Sequence, residues 1–187
     1  LSSAASDVYK RQKYTSSRIK TKKSWKYGRF EIRAKLPKGI GTWAAFWGLP
    51  TEWKYGNWPN SGEIDVLEHV GFEEGHIVSS VHNIAHHGDL SRSDQTKYVI
   101  AKNVVNSFND YVLEWDEKEI KTFINDKLIF SYPKNDQPWE RWPFDEKFHF
   151  ILNIAIGGNW GGIKGIDDTA FPTKMEIEHF RVYKKNT

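Results

Sequence analysis

Residues of alternating character dominate this chain, and that period of two constrains the fold more than any other feature. Phe30, Ile32, Ala34 and Leu36 alternate with Glu31, Arg33 and Lys35, until Pro37-Lys38-Gly39 ends the run. Successive side chains of a strand point to opposite faces, so this segment reads as a strand with one face buried. The same pattern predicts strands at Val78–His82, Tyr111–Trp115, Ile120–Ile124 and Lys127–Ser131, and longer ones at Phe148–Ile156 and Met175–Tyr183. Asn125-Asp126 separates two of them with the residues of a tight hairpin turn. Only Thr96–Asn109 hints at a helical turn. Many short strands with turn punctuation, and no repeat or internal linker, predict an all-β sandwich or jelly roll.

The chain's 187 residues suffice for one domain and one core. Its first twelve residues read differently from the rest. Leu1–Gln12 is small and polar, then basic, and lacks the apolar stretch of a secretory signal. Asp7–Gln12 looks like a translated sequencing adaptor, so residues 1–12 are expected to be non-native or disordered, and the domain to occupy 13–187. With 27 Lys and Arg against 24 Asp and Glu, the net charge of +3 is too mild to argue for a nucleic-acid partner. The basic run from Lys10 to Lys23 is expected to be a solvated face. No apolar run approaches the roughly 18 residues of a membrane helix. The absence of Cys excludes disulfides and thiolate metal sites.

The densest chemistry lies in Trp58-Pro59-Asn60-Ser61-Gly62-Glu63-Ile64-Asp65-Val66-Leu67-Glu68-His69. Three acids interleaved with Ile, Val and Leu place carboxylates on a strand whose other side must be buried. Glu63 and Asp65 share a face by the strand period, whereas Glu68 falls on the opposite face. One bulged residue between Asp65 and Glu68 would turn the third carboxylate to join the other two. A retaining glycosidase needs a carboxylate nucleophile and a carboxylic acid about 5–5.5 Å apart. Like charges that close resist joint ionisation, so one proton is retained near neutral pH. On spacing alone, a solvated surface strand or a cation site remains open. His86 and His87 sit among Gly and Asp without a third ligand, and are expected in a solvated loop.

Nine Trp, eight Tyr and eleven Phe offer rings on which sugars can stack. Trp115 lies in the alternating run Tyr111, Leu113, Trp115 and is expected in the core. Trp58 and Trp160 are flanked by turn residues and are expected to serve function.

The run Glu63-Ile64-Asp65-Val66-Leu67-Glu68 resembles the bulged, six-residue signature of laminarinase-like family-16 glycoside hydrolases; lichenases of the family carry one residue fewer. Further resemblance follows in the same order through Trp25–Glu31, Gly41–Trp47, Ser61-Gly62, Val81-His82, Leu152–Trp160 and Phe180–Tyr183, covering about residues 14 to 185. The resemblance implies a jelly-roll sandwich of two antiparallel sheets with a concave glycan cleft, its opening strand or strands lacking. It implies Glu63 as nucleophile, Glu68 as acid/base and Asp65 as the helper between them. Trp43, Trp47 and Trp58 would line the cleft, with His82, Asn153 and Trp160 facing the sugar. His69, next to the acid/base, would equally well be a strand residue satisfied on the other face.

The implied activity is retaining endo-hydrolysis of β-1,3-glucan, or of β-1,3 bonds in mixed-linkage glucan, by a secreted or periplasmic monomer that needs no cofactor. Many relatives hold a structural calcium between the N-terminal segment and an acid near the last strand, where Glu178 falls. That ion would belong to a full-length parent. Rival expectations are a galactan hydrolase on agar, porphyran or carrageenan, a transglycosylase, and a non-catalytic glucan-binding module. The last characteristically loses a catalytic glutamate, and both are present here.

Overall fold

The computed structural model describes residues 13–88 and 95–184, so the non-native segment expected at 1–12 lies outside the described residues. Among the described residues, eleven strands fold into two antiparallel sheets, with one short 3₁₀ turn at Asp168–Ala170. The strands are β1 (Arg18–Lys20), β2 (Gly28–Lys35), β3 (Thr42–Pro50), β4 (Glu63–Val70), β5 (His76–His82), β6 (Thr96–Ile100), β7 (Asn109–Trp115), β8 (Glu119–Ile124), β9 (Lys127–Pro133), β10 (Phe148–Ile156) and β11 (Glu176–Tyr183). One sheet has the order β1-β10-β3-β4-β5-β6, and the other β11-β2-β7-β8-β9. The all-β sandwich expected from the alternation is the fold observed.

The core forms where the apolar halves of the strands meet between the sheets. Phe30 and Ile32 of β2, Phe46 of β3, Ile64 and Leu67 of β4, and Leu113 of β7 are fully buried there. Burying side chains of this size stabilises by about 1.5–3 kcal/mol each. Trp115 also packs in this core, and its indole N–H donates to the Phe144 carbonyl at 3.0 Å. The hairpin between β8 and β9 turns on Asn125 and Asp126, whose φ of 47° and 64° give the left-handed pair a tight hairpin favours.

Two parts of the chain depart from the sequence pattern. Thr96–Ile100 is an edge strand, not a helical turn, because it pairs along β5 from Ser80↔Thr96 to His76↔Ile100. Within the segment 96–109, Asn103–Ser107 closes one helical turn, through Ser107 N–H to the Asn103 carbonyl at 2.9 Å. The second departure is β3, which the alternation did not mark. Ala44 and Phe46 are buried on one face, and the other face, which lines a cleft, carries Trp43, Ala45 and Trp47 in place of charged residues, so the polar alternation is lost.

Candidate active site

The bulge predicted in β4 is present. On one side Phe46 pairs with Leu67 and Trp47 with Asp65, leaving Val66 unmatched. On the other, Asp65 pairs with Ser80 and Glu68 with Val78, so three steps along β4 match two along β5. Val66 and Leu67 therefore both enter the core, and Glu68 returns to the face of Glu63 and Asp65. Gly62 leads into this strand with φ 85°, and a Cβ there would meet Phe144 Cε1 and Pro143 Cγ at 2.9 Å. Any side chain would push the start of β4 away from its packing.

The three carboxylates line one cleft of about 440 Å³ with Trp43, Trp47 and Asn153. A larger cavity of about 890 Å³ lies elsewhere, around Trp25, Tyr27 and Lys121, and shares no residue with the carboxylates. Its size does not locate chemistry.

Each carboxylate has its own partners. The Trp58 indole N–H donates to Glu63 Oε2 at 2.5 Å, and the Trp43 indole N–H donates to Glu68 Oε1 at 3.0 Å. Asp65 Oδ2 accepts from Ser80 Oγ at 2.9 Å and lies 2.9 Å from His82 Nε2. Burial, then the Asp65 charge, raises both glutamates well above the ordinary carboxylate range. The His82 charge and the indole donors oppose that rise. For His82, burial alone would lower the pKa, but the bond to Asp65 and the charges of Asp65, Glu63 and Glu68 outweigh it and raise it to about 9. A Gly88 N–H donates to His82 Nδ1 at 3.3 Å, a contact suited to the neutral ring. That bond is long, so the three carboxylates decide and favour the imidazolium.

The other residues singled out in the sequence also gather here. Asn153 Oδ1 accepts from the Trp47 indole N–H at 2.7 Å, and the Arg18 guanidinium covers one face of Trp47 at 4.9 Å. Trp47 therefore offers sugar only its other side. Trp160 stands edge-on to Trp43 at 5.5 Å and to Tyr98 at 6.3 Å. His87 is exposed in its loop, yet its ring meets Trp58 edge-on at 5.2 Å. Trp58 remains 46% exposed, which leaves the ring accessible to a sugar. Trp58→Ala is expected to weaken glucan binding by about 1–3 kcal/mol, measured by calorimetry on an inactive Glu63→Ala background. Unchanged affinity would make Trp58 a structural residue.

Sequence reasoning missed Ser80, Arg18 and Tyr98. Tyr98 faces the cleft because it pairs with Val78, itself opposite Glu68, but its strand carried no clear alternation. A hydroxyl such as Ser80 gives no signal until the register sets it beside Asp65.

His69 turns to the other face, fully buried, and neither ring nitrogen has a hydrogen-bond partner. Burial, then the neighbouring His76, lowers its pKa to about 4. The unfolded chain binds this proton at about 6.5, so stability is complete above that pH and falls between about 6.5 and 4. The loss amounts to about 3 kcal/mol. His69→Phe is expected to flatten the acid limb of stability, measured by urea melts from pH 7 to 4. An unchanged slope would contradict the assignment.

Glu178 was expected near a calcium. Its carboxylate accepts from Arg33 Nε at 3.0 Å and is largely solvent-facing.

The family model described as glycosyl hydrolases family 16 matches residues 3–179. The chain is similar to a beta-glucanase of Rhodothermus marinus, 42% identical over 192 residues, covering 97% of this chain and 66% of that protein. It is 36% identical over 184 residues to glucan endo-1,3-beta-glucosidase A1 of Niallia circulans, covering 92% of this chain and 26% of that protein. The laminarinase structure from Rhodothermus marinus superposes with a TM-score of 0.85 at 42% identity, covering 89% of this chain and 70% of that one. The chain thus spans 66% of the length of one curated relative and 26% of the other. With its sandwich, its bulged carboxylate strand and a family match across nearly its whole length, the chain belongs to the glycosyl hydrolases of family 16.

Proposed function

We propose that this chain hydrolyses internal β-1,3 bonds of glucan, including those of mixed-linkage glucan, with retention of configuration. The observation that carries the reading is the Val66 bulge, which puts Glu63, Asp65 and Glu68 in one cleft. In the first displacement Glu63 attacks the anomeric carbon as Glu68 protonates the departing oxygen. In the second, Glu68 takes a proton from water, which breaks the glycosyl–Glu63 ester. The roles are those the family resemblance implies for the two ends of the motif. Glu63 accepts a 2.5 Å indole N–H and lies by the His82 ring, which favour its ionised form against burial and the Asp65 charge. Glu68 is deeper, 8% exposed, and burial favours keeping its proton against the Trp43 indole and His82. Asp65, held by Ser80 and His82, hydrogen-bonds Glu63 and tunes both.

Similarity to a laminarinase and to a glucan endo-1,3-beta-glucosidase supports β-1,3-glucan as substrate. The same proposal takes the enzyme to act as a monomer, without a cofactor, on polysaccharide outside the cell; the three carboxylates of the cleft all come from this chain. Product analysis on laminarin, mixed-linkage glucan, agarose and carrageenan tests the reading. Oligosaccharides from the first two alone are expected. Cleavage of agarose or carrageenan alone would replace the substrate, and no cleavage of any would leave a binding module.

A further inference from the structure

The bulge aims Glu68, yet the strand pairing around it does not account for what holds the bulge. The extra residue disrupts the regular ladder, and the local carbonyls need other donors. Ser79 of β5 supplies one from inside the sandwich. Its Oγ lies 2.6 Å from the Val66 carbonyl and 3.1 Å from that of Asp65. The one hydroxyl proton goes to Val66, the shorter contact. Ser79 Oγ also lies 2.8 Å from Thr122 Oγ1, and both residues are completely buried. Thr122 belongs to β8 of the opposite sheet. With the Ser79 proton spent on Val66, Thr122 is the donor to Ser79 and completes a chain from the far sheet to the bulge. A buried hydroxyl pair in an apolar core costs free energy unless each member is satisfied. With the bulge in place, both members of this pair are satisfied.

We propose that Ser79 and Thr122 are positioning residues that lock the Val66 bulge and thereby set the aim of the acid/base Glu68. The proposal rests on the catalytic reading above for its kinetic part alone. Ser79 touches Val66, two residues from Glu68, while Glu63 begins the strand beyond Asp65. Loss of the lock therefore disturbs proton donation more than nucleophilic attack.

Three variants test it. Ser79→Ala and Thr122→Val remove a hydroxyl with little change of shape, and Thr122→Ser keeps the hydroxyl. Turnover on laminarin is expected to fall about a hundredfold in the first two, as for an angstrom-scale misplacement of a catalytic group, with KM little changed. The pre-steady-state burst of dinitrophenolate from a dinitrophenyl β-laminaribioside reports formation of the glycosyl ester alone, before Glu68 is needed as base, and its rate is expected to stay within about threefold, because attack by Glu63 is intact. Thr122→Ser is expected to match the parent. Equal losses on both substrates, or no loss on either, would overturn the proposal. A readout independent of turnover is the indole N–H resonance of Trp43, which reports its bond to Glu68, with Trp58 and Glu63 as internal reference. In folded Ser79→Ala protein the Trp43 resonance is expected to move and the Trp58 resonance to stay. Both staying would contradict the lock even in a protein that cleaves no glucan.

Discussion

Glu63→Ala is expected to abolish hydrolysis of laminarin, and Glu68→Ala to lower it by four or more orders of magnitude, about 5.5 kcal/mol or more in the barrier. The two losses differ in what repairs them. With a dinitrophenyl glycoside the leaving group needs no acid, so the Glu68→Ala enzyme forms its glycosyl ester and then stalls without a base. Azide enters the space left by the carboxyl group, needs no deprotonation, and is expected to restore turnover as a β-glycosyl azide. Glu63→Ala lacks the nucleophile, so azide would attack the substrate itself and give the α-azide. Chromatography and proton NMR of the azide product check both expectations. A β-azide from Glu63→Ala, or an α-azide from Glu68→Ala, would exchange the roles of the two residues. The fold survives either change, because both side chains face the cleft and leave the core cluster intact.

The second large effect concerns Asp65→Asn. Asp65 raises both glutamates through its charge, and it also bonds His82 at 2.9 Å. The acid limb of kcat/KM reports ionisation of the pair's first carboxyl, and the basic limb reports loss of the second proton; both values belong to the pair. Removing the negative charge eases ionisation of both, so both limbs are expected to shift to lower pH by about one unit. His82 loses its anionic partner and is expected to titrate below its present value of about 9. Turnover at the optimum is expected to fall about a hundredfold, since His82 and Glu63 lose the carboxylate that holds them in place. Limbs that stay in place, or move to higher pH, would show that Asp65 does not tune the pair.

Much of this site was legible in the sequence because its main parts lie on one strand. Glu63, Asp65 and Glu68 stand within six residues, and their parity mismatch itself demanded the Val66 bulge. Ser61 and Gly62 marked the entry to that strand. Trp58 and Trp160 were marked by their flanking turn residues, Trp43, Trp47, His82 and Asn153 by resemblance, and the structure gives them unequal tasks. Trp43 and Trp58 donate to the glutamates, His82 binds Asp65, and Asn153 holds a Trp47 already covered by Arg18. Ser79, Ser80, Thr122 and Tyr98 were not legible. Each acts across a register or between sheets, at sequence separations that no local pattern encodes. β3 escaped for another reason, because its cleft face carries Trp43, Ala45 and Trp47 where a solvated strand would carry charges. The helical hint at Thr96–Asn109 failed because pairing with β5 overrides a weak local preference.

Double displacement requires that Glu63 form a covalent glycosyl-enzyme in this cleft. Proton NMR of the anomeric signals during the first minutes of laminari-oligosaccharide hydrolysis tests it directly, before mutarotation mixes the forms. Double displacement predicts that the new reducing end appears first as the β-anomer, with the α-anomer growing in later. An α-anomer at the earliest time would mean single displacement by water and would contradict Glu63 as the nucleophile.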